Sequence, residues 1–186
     1  MQNYKKSESA EKLVFVSKIE TVPGGGTVAV KDLVDGRIHA GAALYLDSET
    51  GLYHVIKVAK VYENAGSSAT SIKIYKGSNL KANDYIGVAG SSVKQISAID
   101  REGSTSYDTV TLAATLGALT AGDLLEGVKS TNAGYSPVGY LGESFDVEKD
   151  NNHLQSIVVR GTITEANLAA PLTSRIKSAT PLVRFV

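Results

Sequence analysis

Cysteine and tryptophan are both missing from the 186 residues of this chain. Without cysteine there can be no disulfide, no thiol nucleophile, no zinc ribbon and no iron–sulfur cluster. Proline is scarce, at 4 residues, which argues against a linker or a collagen-like chain. Long hydrophobic runs are lacking too. No apolar stretch approaches the ~18 residues of a membrane-spanning helix, so no membrane partner is expected. The opening residues, Met1 to Ala10, hold no apolar core of the kind a signal peptide needs. The chain is therefore expected to remain in the cytoplasm where it is made, unless another machinery carries it out. An excess of one charge is also absent: Lys plus Arg number 19 and Asp plus Glu number 19. Generic nucleic-acid binding needs a basic surface to neutralise phosphates, so no nucleic-acid partner is expected. A neutral surface is poorly protected against self-association, which suits a component of an assembly.

What is present is a globular composition, 42% hydrophobic and 20% charged with 18 glycines. The length is that of one domain. Residues 1–12 are polar and without pattern, and read as a flexible arm that could order on a partner. Residues 13–186 read as a single mainly β domain, in which any sub-division is expected near residues 66–70. Short alternating runs fill it: Leu13–Val16, Thr27–Val30, Leu44–Leu46, Tyr53–Tyr62, Ser71–Tyr75, Val93–Ile99, Thr109–Leu112, Ser156–Arg160 and Leu182–Val186. β-branched and aromatic residues at period two, bounded by Gly, Asn, Asp and Ser, form strands. The expected fold is a compact β-barrel or β-sandwich of short strands with one short C-terminal helix and the N-terminal arm. That helix is expected over about Pro171 to Ala179, with Leu172 and Ile176 four apart and Thr173 or Ser174 as its cap.

A weak repeat runs through the chain. Leu80-Lys81-Ala82-Asn83-Asp84-Tyr85-Ile86 resembles Leu119-Thr120-Ala121-Gly122-Asp123-Leu124-Leu125, and Ile38-His39-Ala40-Gly41-Ala42-Ala43-Leu44 is a fainter copy without the Asp. The physical reading is a tight turn feeding a strand. Asn or Gly takes the left-handed conformation, and the Asp carboxylate accepts bonds from the turn amides.

Catalytic constellations are hard to find. His39, His54 and His153 lie far apart, without the spacing of a metalloprotease. Asp146 to Asn152 places oxygen ligands at alternate positions, but Asn151 stands where a calcium loop needs Gly and Ile157 where it needs Glu, so a polar hairpin is expected there. Gly24-Gly25-Gly26 lacks the Lys-Ser/Thr of a phosphate loop, and no Gly-x-Ser-x-Gly elbow occurs. Carboxylate pairs such as Asp32/Asp35 and Glu143/Asp146 are what surface turns supply. No cofactor, metal or catalytic residue is expected. The 9 tyrosines, against no tryptophan, are spread along the chain and read as amphipathic strand residues. The segment Gly134 to Gly142 differs: it is apolar and glycine-rich, so Tyr135, Tyr140 and Leu141 are expected to contact a subunit or partner.

The order of segments from residue 70 to the end resembles a known family. Ile74-Tyr75-Lys76-Gly77 leads into Leu80-Lys81-Ala82-Asn83-Asp84-Tyr85-Ile86. Lys94 to Asp100, Tyr107 to Leu112 and Leu119 to Leu125 follow, then Val158-Val159-Arg160-Gly161-Thr162-Ile163, Leu168-x-x-Pro171-Leu172, a short helix and Leu182 to Val186. This order resembles the head-fibre and capsid-decoration proteins of tailed bacteriophages. The resemblance implies a non-enzymatic virion protein, made in the bacterial host cytoplasm and carried on the outside of the head. It implies a homotrimer, with the major capsid protein as partner. The polar arm, through Tyr4, Lys5 and Lys6, would then engage the capsid. Two alternatives stay open. One is another phage β module, from a tail, a baseplate or a carbohydrate-binding fibre. The other is a hydrolase on a β scaffold, which calls for a pocket where His54 or His153 meets an Asp.

Overall fold

The computed structural model describes residues 12–34, 36–87, 93–129, 133–148 and 151–186. It is mainly β with one short α-helix near the C-terminus, as composition and patterning imply. The strands are β1 (Phe15–Thr21), β2 (Gly26–Val28), β3 (Arg37–Ile38), β4 (Ala43–Leu46), β5 (Tyr53–Val55), β6 (Val58–Lys60), β7 (Ser71–Tyr75) and β8 (Tyr85–Gly87). They continue as β9 (Val93–Asp100), β10 (Tyr107–Leu112), β11 (Leu124–Val128), β12 (Gly139–Leu141), β13 (Phe145–Asp146), β14 (His153–Gln155), β15 (Ile157–Ile163) and β16 (Val183–Phe185), with helix α1 (Ser174–Ser178) before the last.

Two curled sheets result, the second inserted in the sequence of the first and closed into a barrel. The inserted sheet has the order β6-β11-β8-β9-β10-β7. A bridge between Val61 and Ile74, with the Tyr62 N–H donating to the Lys73 carbonyl at 2.8 Å, joins its two ends. A six-stranded barrel follows, filled by Val61, Ile72, Ile74, Leu80, Ile86, Ile96, Val110, Leu112 and Leu125. Closure removes the free edges that short strands would otherwise expose.

The other sheet, built from both ends of the chain, has the order β1-β15-β12-β4-β5-β2-β14, with β16 also on β15. It curls without closing, with β1 and β14 at its two ends. The Val22 N–H donates to the Ile157 carbonyl at 2.9 Å, extending the β1–β15 ladder. Neighbouring residues on a strand face opposite ways, and here both faces are covered. Val28, Leu44, Val55, Leu141 and Ile157 share one apolar cluster. Ala43, Ile56, Tyr140 and Val158 share another with Leu172, Ile176 and Val183 of the C-terminal segment. Helix α1 carries Ile176 into that cluster, and its N-cap is Thr173, whose hydroxyl accepts from the Ile176 N–H at 3.3 Å.

The repeat is a structural one. Asn83, Gly122 and Gly41 all have positive φ, at 73°, 99° and 83°. In each copy the residue after it closes the turn, with Asp84 N–H on Lys81 O, Asp123 N–H on Thr120 O and Ala42 N–H on His39 O. Each turn then docks in the same way on a fully buried strand residue. Asn83 N–H donates to Ile96 O, Gly122 N–H to Val61 O and Gly41 N–H to Leu141 O, and each of these three residues returns an N–H to the residue following the left-handed one. In the two copies that have Asp, its carboxylate also accepts a turn amide: Lys81 N–H at 2.7 Å and Thr120 N–H at 2.8 Å. The turns feed β8, β11 and β4.

The chain passes into the inserted barrel at about residue 57 and leaves it near 129, with 66–70 a connection inside that barrel. Two expectations need correcting. The Tyr53–Tyr62 run is two strands, because Ile56 and Lys57 carry the chain from one sheet to the other. Tyr140 and Leu141 are no contact loop. They lie on β12, paired between β4 and β15, and both are 0% exposed because that sheet is covered on both faces.

Candidate functional site

A cleft of about 530 Å³ lies where the two units meet. The first unit contributes Asp32, Tyr45, His54 and Val55, together with Tyr135 from the returning chain; the second contributes Asn83, Asp84, Tyr85, Gly127, Val128 and Lys129, with Lys57 at the crossing. Tyr45 on β4 and His54 on β5 sit opposite each other in the antiparallel register, so their rings stack at 5.2 Å. Tyr135 stacks on Tyr45 at 4.0 Å with the rings 14° from parallel. The result is a three-ring column held by backbone pairing at its base.

Charges across the cleft are paired. His54 Nδ1 is 3.3 Å from Asp32 Oδ2, and Lys57 Nζ donates to Asp84 Oδ2 at 2.8 Å. The other oxygen of Asp32, Oδ1, is buried without a hydrogen-bond partner. Burial alone would raise the Asp32 carboxyl, but the His54 hydrogen bond and the nearby Lys57 ammonium outweigh it and hold the group below its usual value. Tyr45 is pushed upward by burial and by Tyr135 and Asp32, so its hydroxyl stays protonated. Because the Asp32 carboxyl is depressed, its contribution to stability is present at neutral pH and is lost as pH falls below about 4. Thermal melts of the Asp32→Asn variant should thus lie below those of the parent at pH 7, by no more than about 1 kcal/mol for so exposed a pair. The difference should close toward pH 3; a gap that is constant with pH would show that the carboxylate charge is not what matters.

The residues picked out from the sequence fare differently. Tyr135 is in the cleft. Tyr140 is in the core, where its hydroxyl meets that of Thr180 at 2.7 Å, and Leu141 packs on the opposite face of the same sheet. Tyr4, Lys5 and Lys6 lie outside the described residues. Of the calcium-like segment, Asp146 is engaged by Arg37 at 3.3 Å and Asn152 Oδ1 accepts the Val30 N–H at 3.2 Å; Lys149 and Asp150 lie outside the described residues. Among the described residues no group of three His or acidic side chains could hold a metal ion. The His153 ring packs against Phe145 at 4.7 Å, tilted by 31°.

Sequence reasoning missed Lys57 and the joint role of Asp32 and Asp84. A signal for Lys57 existed: a lone cation inside Val55-Ile56-Lys57-Val58-Ala59 must be buried and paired or break the run. Its partner is 27 residues away, and no pattern reaches that far. Elsewhere the buried Asp108 accepts from Lys76 at 2.8 Å and Arg101 at 2.7 Å, so those cations serve a structural tie.

One surface feature stands apart from the cleft. Among the described residues β1 pairs only with β15, and along it Val16 and Ile19 are 64% and 63% exposed, with Leu13 just before them at 75%. The chain is pinned where this strand begins: Asn167 donates to Leu13 O and the Thr164 N–H to Val14 O, both at 2.8 Å. Compared with protein-family models, curated proteins and solved structures, the chain matches none of them.

Proposed function

We propose that this chain is a non-enzymatic structural protein of a tailed-phage head, a head fibre or decoration protein on the outer surface, trimeric and bound to the major capsid protein. The order of segments after residue 70 supports the reading through its resemblance to that family. The observation that carries it is the β1 edge. A strand edge presenting Leu13, Val16 and Ile19 to water is an aggregation hazard in a free monomer. It makes physical sense when another subunit or a shell covers it. Binding to the assembled shell and not to loose subunits would stabilise the shell by linkage, and many weak copies on a lattice gain by avidity.

The test is co-sedimentation with expanded heads, together with light scattering for mass. The full chain should sediment with heads and scatter as three times the 19.5 kDa subunit. Deleting residues 1–12 should abolish head binding with an unchanged circular dichroism spectrum, and Val16→Lys with Ile19→Lys should return the trimer to monomer. Undiminished head binding by the truncated chain would remove the arm from the reading.

A second reading, a hydrolase, is favoured by one observation: His54 and Asp32 meet in the cleft, as an acid–base pair would. The described residues lining the cleft include no Ser, Thr or Cys as a nucleophile. Turnover of nitrophenyl esters or glycosides that disappears in His54→Ala would favour it over the structural reading.

A further inference from the structure

We propose that the cleft between the two units binds a neutral saccharide, held through one face of a pyranose ring. The charges lining it cancel, Asp32 and Asp84 against Lys57 and Lys129, and Asp84 already pairs with Lys57 at 2.8 Å. Such a cleft gives a phosphate or a polyamine no net attraction, yet it presents hydrogen-bond donors and acceptors of both kinds side by side. That suits vicinal hydroxyls, each of which donates and accepts. The Asp32 side chain lines the cleft and is 35% exposed, so its carboxylate can accept from a ligand hydroxyl beside His54.

The aromatic groups supply the other half of sugar recognition, flat apolar surface for the C–H face of the ring. Tyr85 lines the cleft with no ring partner among the described residues. Tyr135 is backed by Tyr45 and approached otherwise by the Lys129 ammonium, 5.9 Å from its centroid. Because Tyr45 is clamped between His54 and Tyr135, the platform is set before any ligand arrives, which lowers the ordering cost of binding. The volume of about 530 Å³ is in the range of small-molecule sites, and a junction between two units is a usual place for one. An extended peptide is disfavoured by topology. β4, β5, β8 and β11 each have a strand on both sides, so the cleft offers no open edge to pair with.

The experiment is saturation-transfer NMR on the full chain with lactose, maltose, cellobiose and N,N′-diacetylchitobiose. Soluble polysaccharides of the same units are run beside them, separating a free sugar from a stretch of glycan. Inorganic phosphate and spermidine are the charged probes. At least one saccharide should show transfer, and Tyr85→Ala should weaken it about tenfold or more. Since Tyr135→Ala removes a stacked ring and could unfold the protein, Asp32→Asn serves as the second variant. It keeps the side-chain shape and should also weaken binding. The proposal is overturned if no saccharide shows transfer, if both folded variants bind as the parent does, or if phosphate or spermidine binds in preference. Head binding by Tyr85→Ala, measured separately, is expected to be unchanged, so failure of the saccharide site and failure of the decoration reading are read from different assays.

Discussion

Replacing Arg175 by methionine should cost the protein about 3–5 kcal/mol of stability, read as a large fall in the urea midpoint. Glu126 on β11 is 0% exposed, and its carboxylate accepts from Arg175 Nε at 2.9 Å, from Arg175 Nη2 at 2.6 Å and from the Thr173 hydroxyl at 3.3 Å. Arg175 Nη2 also donates to the Tyr135 carbonyl at 2.9 Å. The guanidinium thus fastens helix α1, which covers the first sheet, to a central strand of the second. Gly134 makes room for it, since a Cβ there would stand 2.6 Å from Arg175 Cζ. Without the arginine a buried carboxylate keeps one hydroxyl donor. The double variant Arg175→Met with Glu126→Leu should recover most of the loss, because apolar side chains of similar volume can replace a buried ion pair. Additive losses in the two single variants and the double would sink the idea that the pair acts as one unit.

Asp84→Ala and Asp123→Ala should differ sharply, although the two residues hold the same place in the repeat. Asp123 serves its turn through the Thr120 N–H at 2.8 Å, and losing that bond should cost about 1 kcal/mol. Asp84 accepts the matching Lys81 N–H at 2.7 Å and, in addition, Lys57 Nζ at 2.8 Å. Lys57 is 8% exposed, so removing its partner strands a buried ammonium, at a cost of about 3–5 kcal/mol. Chemical denaturation of the two variants under one buffer gives the comparison directly. Equal losses would mean that Lys57 finds water or another acceptor, and that the ion pair does not hold the two units together.

The turns show how far local reasoning reaches. Asn83 and Gly122 were recognisable because a left-handed residue before an Asp leaves a compositional mark, and the Asp–amide bond spans three residues. The α1 helix was legible for the same reason: Thr173, Leu172 and Ile176 are close enough in sequence for cap and face to be read together. Tyr140 and Leu141 misled because a glycine-rich apolar segment has the same composition whether it forms a contact loop or a strand covered on both faces. Which of these it becomes depends on the C-terminal segment packing over it, 30 and more residues further on. The cleft was illegible for a related reason. Asp32 reads as a surface-turn residue, and although Asp84, Tyr135 and His54 stand out singly, for a turn, a contact segment and an acid–base pair, nothing in their spacing brings them together.

The sequence by itself determined the mainly β character, the alternation that makes each strand, the three turns, the capped helix and the lack of thiol chemistry and of net charge. All of these depend on residue type and on spacings of a few positions, where backbone conformation and period-two burial act directly. Only the tertiary structure decided that the strands curl into two sheets, one of them closed into a barrel and inserted in the other. It alone decided that Arg175 locks onto Glu126, that Lys57 reaches Asp84, and that a ring column with Asp32 beside it faces Asp84 across the junction. Those outcomes follow from sheet closure and from burying charge in pairs, and each brings together groups whose separation along the chain leaves no local trace.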